Sequence, residues 1–117
     1  MEKNVQISML CQIYGKLLTD KQFEFINDYY NNDLTLSEIA ENNQITRQAV
    51  RDIIKKGEKK LFEYEKELKI MEKMLEQEKK AKDIVRSLED LKQNLQFNNS
   101  NAKEKIDKIE SMLENLI

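Results

Sequence analysis

Seven hydroxyl, amide and cationic side chains lie in one short stretch near the middle of this 117-residue chain. Arginine and glutamine side chains form hydrogen bonds with base edges, whereas lysine and threonine side chains bind phosphate oxygens. We therefore predict that this stretch contacts DNA or structured RNA. Its candidate residues are Thr46, Arg47, Gln48, Arg51, Lys55, Lys56 and Lys59.

The order of these residues gives them different expected roles. Thr46 should cap a helix by accepting a hydrogen bond from a free N–H group. Arg47, Gln48 and Arg51 follow in the first turns and would reach base edges or phosphates, and the lysines further along would neutralise phosphates. Residues 46–60 carry a net charge of +4, and the rest of the chain carries −6. This asymmetry fits nucleic acid bound by one face, although a solvated basic helix gives the same pattern.

The composition gives little support for catalysis, metal binding or a glycine-rich nucleotide site. The chain has no histidine, which excludes histidine catalysis and histidine-ligated zinc, and its two glycines cannot form a glycine-rich phosphate loop. Cys11 is the single cysteine, and its apolar neighbours predict a small buried side chain. Acidic pairs such as Glu72 and Glu76 are typical of exposed helix surfaces. We expect a non-catalytic protein without cofactor or metal.

The elements that would position the candidate residues form a helix-turn-helix pattern over residues 34–56. Thr35 and Glu38 have the spacing of a capping box at the start of a first short helix. The polar residues 41–44 interrupt the apolar period and mark the turn. Thr46 then begins the second helix, which would present the candidate residues.

The remaining sequence predicts an all-α protein, because proline is absent and helix formers dominate. A first helix is expected over about 5–16. The apolar residues that follow helical spacing in it are Val5, Met9, Leu10, Ile13, Tyr14 and Leu17. A second helix is expected over about 20–31, begun by a capping box at residues 19–22. Its predicted inner stripe contains Phe23, Ile26 and Tyr30, with Tyr29 close by.

The sequence of the C-terminal part predicts long helices. The helix of the motif should continue through Gly57 to about Glu67 and bend near Leu68, which divides the chain into domains at 1–67 and 68–117. The apolar heptad seams in this tail change register. The clearest interruption of the helical pattern is at residues 98–101. We expect a C-terminal helical hairpin that packs on its own domain or on a second copy, with a homodimer favoured.

The N-terminus lacks the basic start and long apolar run of a signal peptide. No segment approaches the roughly 18 apolar residues of a membrane span. We expect a cytoplasmic protein.

Two segments of the N-terminal half carry a family resemblance. The first is YGKLLTDKQ at residues 14–22, and the second is LSEIA at residues 36–40, followed by ITRQAV at residues 45–50. In this order and at this separation they resemble the YlxM family of small bacterial proteins, over residues 5–68. The YGxLLT stretch makes the resemblance specific, because general helix-turn-helix proteins do not contain it.

This resemblance implies an all-α fold and a helix-turn-helix similar to the DNA-binding fourth region of sigma factors. It implies a nucleic-acid-binding regulator. Since family members are encoded beside signal recognition particle components, it also suggests these components as partners in protein targeting. By matching position, Arg47, Gln48 and Arg51 begin the recognition helix. The matching framework positions are Ala40, Ile45, Ala49 and Val50.

The turn departs from the family pattern at Gln44, where a glycine often stands. A glutamine forced to positive φ would cost on the order of 1 kcal/mol. We therefore expect either that Asn43 takes the left-handed position or that the turn has a different shape.

Two functional hypotheses compete. The first is a non-catalytic regulatory protein that binds nucleic acid through the helix-turn-helix and dimerises through the tail. The second is a protein-interaction adaptor that keeps the helix-turn-helix as a scaffold and binds through the tail. Asp52 on the recognition face and the acidic total charge favour the adaptor. The sequence leaves DNA, RNA and protein open as ligands.

Overall fold

A computed structural model of the chain describes residues 1–94 and 100–116. The all-α prediction is confirmed, because the described residues form helices and no strand. The helices are α1 (Lys3–Tyr14), a 3₁₀ turn (Gly15–Leu17), α2 (Asp20–Tyr30), α3 (Leu36–Asn43), α4 (Arg47–Leu68), α5 (Ile70–Asn94) and α6 (Ser100–Glu114). They belong to two compact units, Met1–Met71 and Glu72–Ile117.

Helix α1 buries a stripe that overlaps the predicted one at Leu10 and Tyr14. Its buried side chains are Ile7, Leu10, Cys11 and Tyr14, whereas Val5 and Leu17 are exposed. Both stripes have helical spacing, so the periodicity alone did not discriminate between them. The prediction that Cys11 is buried is confirmed, and burial raises the pKa of its thiol.

Helix α2 begins at the predicted capping box, in which Thr19 Oγ1 accepts from the Gln22 N–H and the Gln22 side chain accepts from the Thr19 N–H. The predicted inner stripe was wrong at Phe23, which is exposed, while Phe25 is buried beside Ile26. The buried face of α2 is therefore rotated about the helix axis relative to the predicted one. The reason is Gln22, whose side chain is buried against α4. A helix that buries this side chain turns Phe25 inward.

Helix α4 is the element on which α1, α2 and α3 pack. Its buried residues are Val50, Ile54, Gly57 and Leu61. At Gly57 the two helices α2 and α4 approach closely, since a Cβ there would lie 2.6 Å from Ile26 Cδ1 and 3.2 Å from Gln22 Cβ. The predicted continuation of this helix through Gly57 to about residue 67 is confirmed.

The predicted bend near Leu68 is also confirmed, because Lys69 has a left-handed conformation with φ 56° and ends α4. Side chains of the first unit bind the free N–H groups at the start of α5. The Tyr14 hydroxyl donates to Glu65 Oε1 at 2.7 Å and accepts from the Ile70 N–H at 3.3 Å. Glu65 Oε1 also accepts from the Met71 N–H at 3.0 Å.

In the second unit, Lys92 on α5 forms ion pairs with Asp107 and with Glu110 of α6, the latter at 3.7 Å. Ile106 is buried. Other members of the predicted seams remain largely exposed, namely Ile84, Leu91, Ile109 and Leu116. Intrachain pairing therefore leaves much of the apolar surface of this unit uncovered.

The predicted break at residues 98–101 is only partly within the described residues. Positions 98 and 99 lie outside them, as does Leu95 of the predicted seam. The other two, Ser100 and Asn101, already belong to α6, so the prediction placed the start of this helix too late.

Candidate nucleic-acid interface

The predicted helix-turn-helix consists of α3, a tight turn and α4. Thr35 Oγ1 accepts from the Glu38 N–H at 3.1 Å, and Glu38 Oε1 accepts from the Thr35 N–H at 3.3 Å, which completes the predicted capping box. At the start of α4, Thr46 Oγ1 accepts from the Ala49 N–H at 3.1 Å. Both helices of the motif thus begin at the predicted threonine, each cap satisfying one free N–H.

The turn places Gln44 itself in the left-handed region, at φ 56° and ψ 42°. The alternative that Asn43 takes this conformation was wrong: Asn43 stays helical and donates from Nδ2 to the Ile39 carbonyl at 2.8 Å. The Ile45 N–H donates to the Ala40 carbonyl at 3.1 Å and the Gln44 N–H to the Glu41 carbonyl at 3.3 Å. These two bonds form a Schellman motif, which ordinarily uses glycine at the left-handed position.

Four of the candidate cations form one line on α4. Arg47, Arg51, Lys55 and Lys59 succeed one another at four-residue intervals, so they share one side of the helix, and all four are exposed. We call these four residues the basic stripe. Lys59 lies 4.0 Å from Glu63, whereas no described acidic side chain lies within ion-pair distance of the other three.

A second line of candidate residues runs beside the basic stripe. It contains Gln48, Asp52 and Lys56, all of which are exposed. Gln48 Nε2 donates to Asp52 Oδ1 at 2.9 Å, so the carboxylate holds the amide in place. Two side-chain oxygens of this pair take no part in the bond, Gln48 Oε1 and Asp52 Oδ2. Both can accept hydrogen bonds from amino groups on bases.

Two neighbouring cavities border the basic stripe, and the sequence reasoning missed them. A cavity of about 480 Å³ includes Arg47 in its wall, and one of about 340 Å³ includes Arg51 and Lys55. Tyr29, Tyr30 and Leu36 line both. The sequence placed Tyr30 in the inner stripe of α2, with Tyr29 close by. Their position beside α4 depends on how α2 and α4 pack together, and residue spacing along one helix does not predict that packing.

Tyr30 is held in this wall by a partly buried hydrogen bond. Its hydroxyl donates to Glu58, and Glu58 also lies 4.0 Å from Lys3 Nζ. Burial and the Glu58 carboxylate raise the pKa of Tyr30 above its ordinary value, which keeps the hydroxyl protonated as a donor. Tyr29 packs against Tyr30 edge to face, with ring centroids 5.0 Å apart.

In residues 1–94 and 100–116, no three His, Cys, Asp or Glu side chains come together in a geometry that could hold a metal ion. Within the same ranges, no helix has the length and apolar character needed to cross a membrane.

Comparison with known proteins identifies relatives over most of the chain. The family model described as "Putative helix-turn-helix protein, YlxM / p13 like" (UPF0122) matches residues 1–112. A UPF0122 protein of Clostridium acetobutylicum is 46% identical over 96 residues, covering 82% of this chain and 83% of the relative. One from Clostridium kluyveri is 41% identical over 117 residues, covering 100% of both chains. One from Fusobacterium nucleatum is 39% identical over 117 residues, covering 100% of this chain and 98% of the relative.

Proposed function

Because this chain belongs to the YlxM/p13-like family of helix-turn-helix proteins, we propose that it is a non-catalytic regulator that binds DNA or structured RNA through α4. The basic stripe is the observation that carries this proposal. Three of its four cations have no acidic partner among the described residues, so their charge is available to phosphates. Such binding would take place in the cytoplasm, where a bacterium keeps its chromosome and structural RNAs.

The proposed roles follow from position on the helix. Thr46 caps the helix and thereby fixes its first turn, from which Arg47 and Gln48 would reach base edges or phosphates. Arg51 and the lysines of the stripe would neutralise successive phosphates. Lys56 lies on the neighbouring line and would contact phosphate at the edge of the same surface.

The test is a binding titration over a salt series, with fluorescence anisotropy as the readout. The ligands are a duplex DNA and signal recognition particle RNA, which the family resemblance makes the first RNA to try. Arg47→Ala combined with Arg51→Ala should weaken binding and reduce the salt slope by roughly one unit per lost phosphate contact. The matched control removes two exposed cations from α5, Lys73→Ala with Lys80→Ala. Absence of binding to both ligands at low salt would overturn the proposal.

We further propose that the second unit pairs with a second copy of the chain. The support is the exposed apolar surface on α5 and α6, where Ile84, Leu91 and Met112 are 48%, 51% and 60% exposed. Apolar side chains at helical spacing on a charged helix favour a helical partner. A dimer would present two recognition helices to one nucleic acid.

The exposed apolar surface also favours a second candidate function, an adaptor that binds proteins of the targeting pathway through its tail. Pull-down of the signal recognition particle GTPases distinguishes the two functions. An adaptor loses these partners when Ile84→Glu and Leu91→Glu are introduced and keeps them when Arg47 and Arg51 are replaced by alanine. A nucleic-acid-dependent association shows the reverse pattern and is lost after nuclease treatment.

A further inference from the structure

The cavity of about 340 Å³ beside the basic stripe has the composition of a site for a planar anionic ligand. Its volume lies within the range of small-ligand sites, and its wall combines aromatic rings with cations. The residues that matter here are Lys3, Tyr29, Tyr30, Arg51, Lys55 and Glu58. Two of them, Arg51 and Lys55, belong to the basic stripe, so the cavity opens directly beside the proposed nucleic-acid surface.

Tyr29 offers an aromatic surface in this cavity. Its side chain is 39% exposed, although it stands on a helix whose neighbouring residues Phe25 and Ile26 are buried. The ring packs against the Tyr30 ring with 82° between the ring planes, and the Tyr30 hydroxyl is itself bonded to Glu58. A ring held in place stacks on a ligand with less loss of side-chain entropy than a free one.

The charges around Tyr29 favour an anion over a cation. Glu58 is the acidic member of the wall, and it already accepts from the Tyr30 hydroxyl and pairs with Lys3. Arg51 and Lys55 have no such partner among the described residues and are exposed. A ligand at Tyr29 therefore meets two available cations on one side, at the spacing of one helical turn.

We propose that this cavity receives one unpaired nucleotide of the bound nucleic acid, with its base stacked on Tyr29 and its flanking phosphates on Arg51 and Lys55. This inference rests on the proposed function and adds a preference for ligands with an extruded or looped-out base. Stacking on an aromatic side chain is the usual way in which proteins hold unpaired bases, and phosphates on both sides of the base supply the charge contacts. A fully paired duplex offers the phosphates alone.

The test compares a blunt duplex with the same duplex carrying a single-nucleotide bulge, using the full-length protein. The wild type should bind the bulged duplex about tenfold more tightly. Tyr29→Leu should bring the ratio of the two affinities close to one, whereas Tyr29→Phe should keep it because the ring remains. Phe23→Leu is the matched control, since Phe23 is an exposed aromatic residue of α2 that does not line this cavity.

A fluorescent base gives a second readout that does not depend on affinity. With 2-aminopurine at the bulged position, the wild type and Tyr29→Phe should quench the emission and Tyr29→Leu should not. Equal binding of bulged and blunt duplexes by the wild type overturns the inference and leaves the proposed function standing. If Tyr29→Leu still prefers the bulged duplex, the inference is likewise overturned and the proposed function stands. Failure of both duplexes to bind at low salt overturns the inference, and the proposed function falls with it only if signal recognition particle RNA also fails to bind.

Discussion

At the scale of single residues, left-handed backbone conformations occur at two helix ends and in the loop between α2 and α3. Asp33, Gln44 and Lys69 each have φ 56°. Aspartate is among the residue types that visit this region, because its short side chain can bond locally, whereas glutamine and lysine gain no such compensation. These residues hold their conformation because the surrounding helices fix the path of the chain. At Gln44 this strain lies in the turn that sets the angle of the recognition helix.

Relief of the strain at Gln44 should stabilise the protein. We expect Gln44→Gly to raise the free energy of unfolding by about 1 kcal/mol, because glycine adopts the left-handed region without a steric penalty. Urea denaturation followed by circular dichroism measures the change. Asn43→Gly is the control and should destabilise, since it places glycine in a helix and removes the bond to the Ile39 carbonyl. A loss of stability in Gln44→Gly would contradict the interpretation.

The Tyr14 hydroxyl bridges the end of α4 and the start of α5. We expect Tyr14→Phe to lower the free energy of unfolding by on the order of 2 kcal/mol, because the charged acceptor Glu65 loses a buried donor. Tyr64→Phe is the control, since its exposed hydroxyl reaches only the Leu17 carbonyl at 3.5 Å. Chemical denaturation at neutral pH should rank the two variants in this order, and equal losses would argue against a special role for Tyr14.

The same hydroxyl predicts how stability changes in alkali. Burial, followed by the bond to Glu65, raises the pKa of Tyr14 in the folded state above the ordinary value of about 10. Its contribution is therefore complete below pH 10 and is lost as the pH rises above that, where the unfolded chain ionises first. In a pH series of denaturation curves, Tyr14→Phe should show a shallower alkaline decline than the wild type.

At the scale of helices, the sequence predicted the helix caps, which are local, and missed features that depend on how one helix packs against another. The capping boxes at Thr19 and Thr35 and the cap at Thr46 were all predictable, because each involves residues three positions apart. The inward faces of α1 and α2 were predictable only in part, since two overlapping stripes of each helix satisfy the period. The close approach at Gly57 selects the stripe of α2, and it also brings Tyr29 beside the basic stripe.

The contact at Gly57 can be tested by adding a single methyl group. Gly57→Ala improves helix propensity by about 1 kcal/mol, yet we expect a net loss of about 1 to 2 kcal/mol, because the new Cβ meets Ile26 and the Cβ of Gln22. Gly15→Ala is the matched control. Its Cβ would meet only the ring of Phe23 within 3 Å, and that exposed ring can move aside. Thermal denaturation should place Gly57→Ala below Gly15→Ala.

At the scale of the whole molecule, the two candidate binding surfaces belong to different units. The basic stripe belongs to the first unit, and the second exposes apolar side chains on both of its helices. The candidate cations could be named from sequence because they lie close together in the chain. The amount of apolar surface left exposed on α5 and α6 could not, because heptad spacing fits pairing within one chain and between two equally well.

The proposed dimer gives a prediction for the oligomeric state. The full-length chain should sediment as a dimer at micromolar concentration, and Ile84→Ser with Leu91→Ser should yield a monomer with unchanged helicity, because both side chains are exposed. Val5→Ser with Leu17→Ser removes two apolar residues of similar exposure, 53% and 54%, from the first unit and should leave the dimer intact. A monomeric wild type would rule the dimer out.

The long-range bond of Tyr14 has a consequence for synthesis on the ribosome. Its acceptor Glu65 follows 51 residues later, and α1, α2 and α3 all pack on a helix that ends only at Leu68. A nascent chain that has exposed only the first three helices therefore lacks the helix on which all three pack. The first unit completes its folding when Met71 has left the exit tunnel, and until then its buried residues are open to chaperones.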